Sequence, residues 1–264
     1  MPLDTPSSPR SPARRAVLTG LASLPLAAVL ADPRLAAAAA MGLEDVSLTL
    51  PGGGSVSAAL AMPETTPAPT VLLIHEWWGL NDQIKAVAAD FAKQGYIALA
   101  ADLYGGEVAS TPDQAKALMG AVEAGVAAET LVAWAEWLKA DEKSTGKIGT
   151  VGWCFGGGWS LNASLATPVD ATVVYYGRVA KSAAELASLE SPVLGHFATQ
   201  DGWINQEMVD GFTAAMDQAG KSYTVHWYEA DHAFANPSGG RYDEADAKLA
   251  WERTTAFFEE RLKG

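Results

Sequence analysis

Cysteine is nearly absent: Cys154 stands alone in 264 residues. A single thiol cannot form an intramolecular disulfide or a cysteine-rich metal site. Histidine is scarce as well. His75, His196, His226 and His232 show no HxxH or HExxH spacing, so no metal is expected and nothing asks for a cofactor. Basic charge is the third shortage. Eighteen Lys and Arg face 31 Asp and Glu, for a formal net charge of −13. Such a surface repels phosphate backbones and anionic lipid, which excludes nucleic acid as an expected partner. Anionic substrates would need a local basic pocket. No internal repeat is visible. The glycine-rich stretch Gly152–Gly158 lacks both the G-x-G-x-x-G spacing and a Walker lysine, which argues against a nucleotide. What remains is 49% hydrophobic and 19% charged residues, a composition that excludes disorder and suits one large α/β domain.

The first forty residues read as an address. Arg14 and Arg15 are adjacent, Ala16-Val17-Leu18 begins an apolar stretch that runs to Ala31, and small residues close the segment from Ala36 to Ala40. Basic start, apolar middle and small-residue end describe a signal peptide, and the paired arginines resemble a twin-arginine export signal. The expectation is cleavage near Ala38–Ala40, with the mature chain exported to the periplasm or secreted from a bacterial cell. The division is therefore a signal peptide over 1–40 and a single domain over 41–264. Ala16–Ala31 is sixteen residues long, contains Pro25, and is short for a bilayer span. No stable membrane insertion is expected after cleavage. Residues 1–40 hold four arginines and two aspartates, so the mature charge becomes −15.

Beyond the leader, Val46–Leu50 and Val56–Met62 flank the turn Pro51–Gly54, which predicts an antiparallel hairpin. The pattern then changes to apolar strands separated by helical segments. Strands are expected at Thr70–Ile74, Tyr96–Ala100, Ile148–Val151, Ala171–Tyr176, Val193–Ala198 and Tyr223–Tyr228. Helices are expected over 82–94, from 112, over 127–140, over 156–166 and over 243–262. This alternation predicts an α/β fold with a mostly parallel central sheet and helices on both faces. Ligands of such sheets bind beyond the carboxyl ends of the strands.

The residues that follow strands therefore matter most. Gly152-Trp153-Cys154-Phe155-Gly156-Gly157 follows a strand and opens a helix, the G-x-nucleophile-x-G elbow with cysteine as nucleophile. In that turn the N–H of Phe155 lies at a helix start, where it can stabilise negative charge. Asp201 follows Val193–Ala198, and His232 follows Tyr223–Tyr228. The chain order nucleophile, acid, histidine is that of α/β-hydrolases. Asp231 is a competing acid, but as the neighbour of His232 it is poorly placed to face the ring. Glu76 and Trp77 follow Thr70–Ile74, where this fold supplies a second oxyanion donor; the Trp77 N–H is the expected one. Read alone, Glu76 is equally well a solvated loop charge. Trp77, Trp78, Trp153, Trp159 and Trp203 gather near the site loops, some as core and some as an aromatic wall.

His75-Glu76-Trp77-Trp78-Gly79, Ala101-Asp102-Leu103-Tyr104-Gly105, the elbow, Thr199-Gln200-Asp201 and His226–Phe234 together resemble the dienelactone hydrolase family over about residues 44–262. The resemblance implies a Cys154–His232–Asp201 triad and a glutamate, Glu76, that pairs with the resting thiol and helps activate it. It also implies arginines that hold an anionic substrate. One belongs four residues after the histidine, where this chain has Asn236. Another belongs in the helix after the Asp-Leu-Tyr landmark, where Thr111–Gly120 offers only Lys116, and Arg241 is out of register. Trp78, Tyr104, Lys116, Asn236 and Arg241 are the expected substrate contacts. The expected function is thiol-based opening of a small-molecule ester or lactone other than dienelactone, by a monomer or weak homo-oligomer. Two rivals are a binding protein without turnover and a thiol redox protein that borrows an external thiol.

Overall fold

The computed structural model describes residues 24–264. Its strands form where apolar runs are long enough to be covered on both faces. Ala68–Ile74 (β3) buries all seven residues, and Ile97–Ala101 (β4) all five. The remaining strands are Glu44–Thr49 (β1), Ser55–Ala61 (β2), Ser144–Trp153 (β5), Ala171–Tyr175 (β6), Val193–Ala198 (β7) and Tyr223–Tyr228 (β8). They make one sheet in the order β1-β2-β4-β3-β5-β6-β7-β8. β1/β2 and β2/β4 pair antiparallel, and every other pair is parallel. The expected N-terminal hairpin and parallel sheet are both present.

The helices are Leu26–Ala31 (α1), Pro33–Ala40 (α2), Asp82–Lys93 (α3), Pro112–Ala121 (α4), Ala124–Ala140 (α5), Phe155–Ala166 (α6), Ala183–Leu186 (α7), Gln206–Gln218 (α8) and Glu244–Phe258 (α9). Local chemistry sets their starts. Asn81 caps α3 by accepting from Ile84 N, and Thr111 caps α4 ahead of Pro112. On one face of the sheet, Phe91 of α3 and Phe258 of α9 pack with Val71, Leu73 and Val151. On the other, Leu131, Trp134 and Leu138 of α5 pack on Leu72, Ile74 and Leu99. Each such side chain contributes about 1.5–3 kcal/mol by leaving water. Among the described residues no single helix is long and apolar enough to cross a membrane. The pair α4–α5 reaches that length only when two helices bent by 84° are joined.

Two differences from the sequence expectations are informative. β5 starts at Ser144 rather than Ile148, because its polar first residues are held by backbone pairing, with Ser144 opposite Ala68. The last helix ends at Phe258 and closes in a π turn over Glu259–Lys263. The leader reading falls partly outside the described residues, since Arg14 and Arg15 precede residue 24. Its later part forms α1 and α2, which bury Val29, Leu30, Ala36 and Ala39, and Gln83 Nε2 donates to Leu30 O at 3.0 Å.

A buried hydroxyl ladder fixes α6 on the sheet. Ser160 donates to Thr150 Oγ1 at 2.9 Å, Thr150 and Ser164 meet at 3.0 Å, and Thr172 joins Ser164 and Ser191 at 2.6 Å each. With its hydroxyls paired, the ladder costs little in burial and holds the middle of α6 on the sheet, behind the first turn that carries the site.

Candidate active site

The site starts from a backbone that only small neighbours permit. Cys154 has φ 54° and ψ −116°, a left-handed conformation that costs about 1–3 kcal/mol in a non-glycine residue. A Cβ at Gly152 would run into the Gly156 carbonyl, and one at Gly156 would run into the Ile74 carbonyl. The two glycines therefore let strand, turn and helix close on one another. The result lifts the sulfur onto the carboxyl edge of the sheet.

Three loops bring partners to it. His232 Nε2 lies 3.1 Å from Cys154 Sγ, and His232 Nδ1 lies 2.6 Å from Asp201 Oδ2. With Nδ1–H directed at the carboxylate, Nε2 is left to accept from the thiol. Asp201 Oδ1 accepts from the N–H groups of Trp203 at 2.8 Å and Ile204 at 3.0 Å. Burial alone would raise this carboxyl, but the His232 hydrogen bond and those two N–H groups hold it below its ordinary value. Asp201, and not Asp231, is thus the acid on the ring.

The thiol is held neutral. Burial first and the Glu76 charge second push Cys154 up to about 12, against the backbone N–H groups of Phe155 and Trp77, which hydrogen-bond toward it. Both expected oxyanion donors therefore face the sulfur. The Trp77 loop is braced from behind. Tyr104 donates through its hydroxyl to Trp77 O at 3.2 Å. The His75 ring accepts from Leu103 N at 3.1 Å, which leaves Nδ1–H for Glu76 O at 2.6 Å. Burial lowers the His75 pKa, in keeping with a neutral ring. Asp102 holds the next loop by accepting from Tyr104 N at 2.8 Å and from Gly106 N. Among the described residues no group of three or more His, Cys, Asp and Glu could hold a metal ion.

Glu76 is buried, which overturns its reading as a solvated loop charge. Its Oε2 accepts from Asn236 Nδ2 at 2.6 Å and its Oε1 from the Tyr176 hydroxyl at 3.4 Å. Burial raises it, against Asn236, His232, Tyr176 and Arg241. Among the described residues the thiol's side-chain partner is His232, while Glu76 acts on it through charge.

The expected substrate contacts divide. Tyr104 is buried and spends its hydroxyl on the Trp77 loop, and Asn236 is engaged with Glu76. In this structure both hydroxyl and amide are used as braces for neighbouring loop groups. Trp78 packs its ring against Trp77 at 5.0 Å. Arg241 lies 5.3 Å over the Trp203 ring, and that exposed ring meets His232 at 5.1 Å. Lys116 is exposed on α4, and among the described residues no hydrogen bond or ion pair joins it to the site. Of the tryptophans, Trp153 turns inward and stacks on Tyr175 at 5.4 Å, while Trp159 meets Phe155 at 6.2 Å. Sequence reasoning passed over Tyr176, which touches both Glu76 and the His232 ring, at 5.2 Å. The sequence places it inside the apolar run Ala171–Tyr176, which carries no signal of a role at the site.

The model of the dienelactone hydrolase family matches residues 56–262. A carboxymethylenebutenolidase of Pseudomonas putida is 29% identical over 229 residues, covering 81% of this chain and 95% of its own. Protein usf of Aquifex pyrophilus is 32% identical over 210 residues, covering 74% and 89%. A solved dienelactone hydrolase-like promiscuous phosphotriesterase from metagenomic libraries superposes with a TM-score of 0.76 at 22% identity, over 84% of this chain and 99% of that one. That likeness speaks for the fold. With the family pattern running through the elbow and the loops after β3, β7 and β8, this chain belongs to the dienelactone hydrolase family of α/β-hydrolases.

Proposed function

We propose that the chain hydrolyses a neutral ester or lactone through a thioester on Cys154. The observation that carries this reading is the unbroken Sγ–His232–Asp201 chain with two backbone N–H groups directed at the same sulfur. Substrate arrival lets His232 Nε2 take the thiol proton, and the thiolate adds to the carbonyl carbon. The N–H groups of Phe155 and Trp77 hold the oxyanion; losing one such donor costs about a hundredfold or more. The tetrahedral species expels the alkoxide, which takes the proton from His232. A water molecule, deprotonated by the same nitrogen, then cleaves the thioester and frees the acid and the thiol. A thiolate is itself a good leaving group, which favours lactones and activated esters over amides.

A neutral substrate fits the charges at the mouth. The arginine position four residues past the histidine is Asn236, already bonded to Glu76, and Lys116 stands apart on α4. Among the described residues Arg241 brings a guanidinium near the rim, over the Trp203 ring. Residues 1–40 fit an export leader, to be checked by cell fractionation and the N-terminus of the exported protein.

The test is hydrolysis of a neutral aryl ester, a neutral lactone and a carboxylated dienelactone by wild type and Cys154→Ala. Turnover of the neutral pair that vanishes in the variant is the expected result. Preference for the carboxylated lactone overturns the neutral substrate, and turnover surviving in Cys154→Ala overturns the thioester.

A further inference from the structure

A chamber of about 620 Å³ lies beside Glu76. Its wall is mostly apolar, with Leu26 and Leu30 of α1, Ile84 and Val87 of α3, Trp153 and Trp251. Neither Cys154 nor His232 lines it. Protein interiors pack about as densely as organic crystals and leave few voids larger than a water molecule. A space of this size is in the range of small-molecule sites, about 300–1,000 Å³, and apolar walls with few polar groups are their usual form.

The few polar groups at its inner end are already satisfied. Glu76 and Asn236 bond each other at 2.6 Å, and the second Glu76 oxygen takes the Tyr176 hydroxyl. An occupant thus meets little demand for hydrogen bonds there. Its charge is constrained from outside: Asp90, Glu244 and Glu252 stand in the lining against one lysine, Lys248, on a chain of net charge −13. That balance rejects anions.

We propose that, in the chain that still carries residues 24–40, this chamber is a second ligand site, separate from the thiol face, that binds a neutral molecule bearing an aliphatic chain or ring. Glu76 belongs to both places, as part of the chamber wall and as a charge acting on Cys154. The site goes beyond the hydrolase reading and does not depend on turnover.

The full 264-residue chain is titrated with N-phenyl-1-naphthylamine, a neutral apolar probe that fluoresces when it leaves water, and the probe is displaced with 1-octanol. Saturable binding of one probe per chain is expected. It should persist in Cys154→Ala and weaken by about tenfold or more in Val87→Trp, which fills the chamber. Ile84→Trp and Leu30→Trp fill it from two other sides, so a folding failure of one variant leaves the others to decide. Absence of saturable binding overturns the site. So does binding that the folded filling variants leave unchanged, or binding lost in Cys154→Ala, which would put the probe in the thiol cleft. Ester turnover is read in parallel, so the two readings can fail independently.

Discussion

At pH 7.5 Cys154 should resist iodoacetamide. An ordinary thiol at 9.0 is ionised in roughly one molecule in thirty at that pH, and one at about 12 in roughly one in thirty thousand. The difference corresponds to about 4 kcal/mol against the thiolate, set first by burial and then by the Glu76 charge. Part of the loss returns, because thiolates of higher pKa are better nucleophiles; a Brønsted slope of about 0.4–0.5 restores about twentyfold. The net expectation is alkylation about fiftyfold slower than for free cysteine, rising tenfold per pH unit up to pH 10 or beyond. Mass spectrometry of the intact chain over a time course from pH 6 to 10 measures it. Glu76→Gln, which removes the second cause, should speed the reaction at the alkaline end of that range, where Glu76 is ionised. A rate equal to free cysteine and flat down to pH 6 would refute the reasoning, since it would mean that the resting thiol has already passed its proton to His232.

Asp201→Asn should keep the fold but lose about a thousandfold or more in kcat, since the amide no longer fixes His232 with Nε2 free; stopped-flow ester hydrolysis and circular dichroism read the two arms. Tyr104→Phe removes the bond to Trp77 O, worth about 0.5–1.5 kcal/mol, and should lower kcat about fivefold with KM little changed. Glu76→Gln should raise the melting temperature at pH 8 but not at pH 4. The folded-state Glu76 pKa is raised, so ionisation favours the unfolded chain increasingly as pH climbs above the ordinary 4.5. Gly156→Ala should fail to give soluble protein, because its methyl group meets the Ile74 carbonyl on β3, and expression trials with a melting curve decide it.

The periodic parts of the chain were legible because burial on a sheet or helix leaves a local trace. β7 and β8 match their apolar runs residue for residue, and the elbow announces itself by glycines that have no freedom to be anything else. Side-chain partnership across loops leaves no such trace. Nothing local says that Asn236 turns to Glu76 across 160 positions, or that the Tyr104 hydroxyl is spent on a carbonyl. Tyr176 was hidden in an apolar run, although its φ of 36° sets it apart from the strand it follows. Trp153 shows the same limit: adjacent to Cys154, it turns inward onto Tyr175, because successive residues at a strand end point to opposite faces.

Trp77, Cys154, Asp201 and His232 come from loops after four different strands, and β8 stands at the far edge of the sheet, with two strands between it and β5. The nucleophile is therefore in the chain well before its base can dock. A folding intermediate that has closed β3 against β5 but not yet added β7 and β8 would hold a thiol beside both oxyanion donors with no base to use it. The arrangement of Cys154, His232 and Asp201 is therefore complete only when β7 and β8 have joined the sheet.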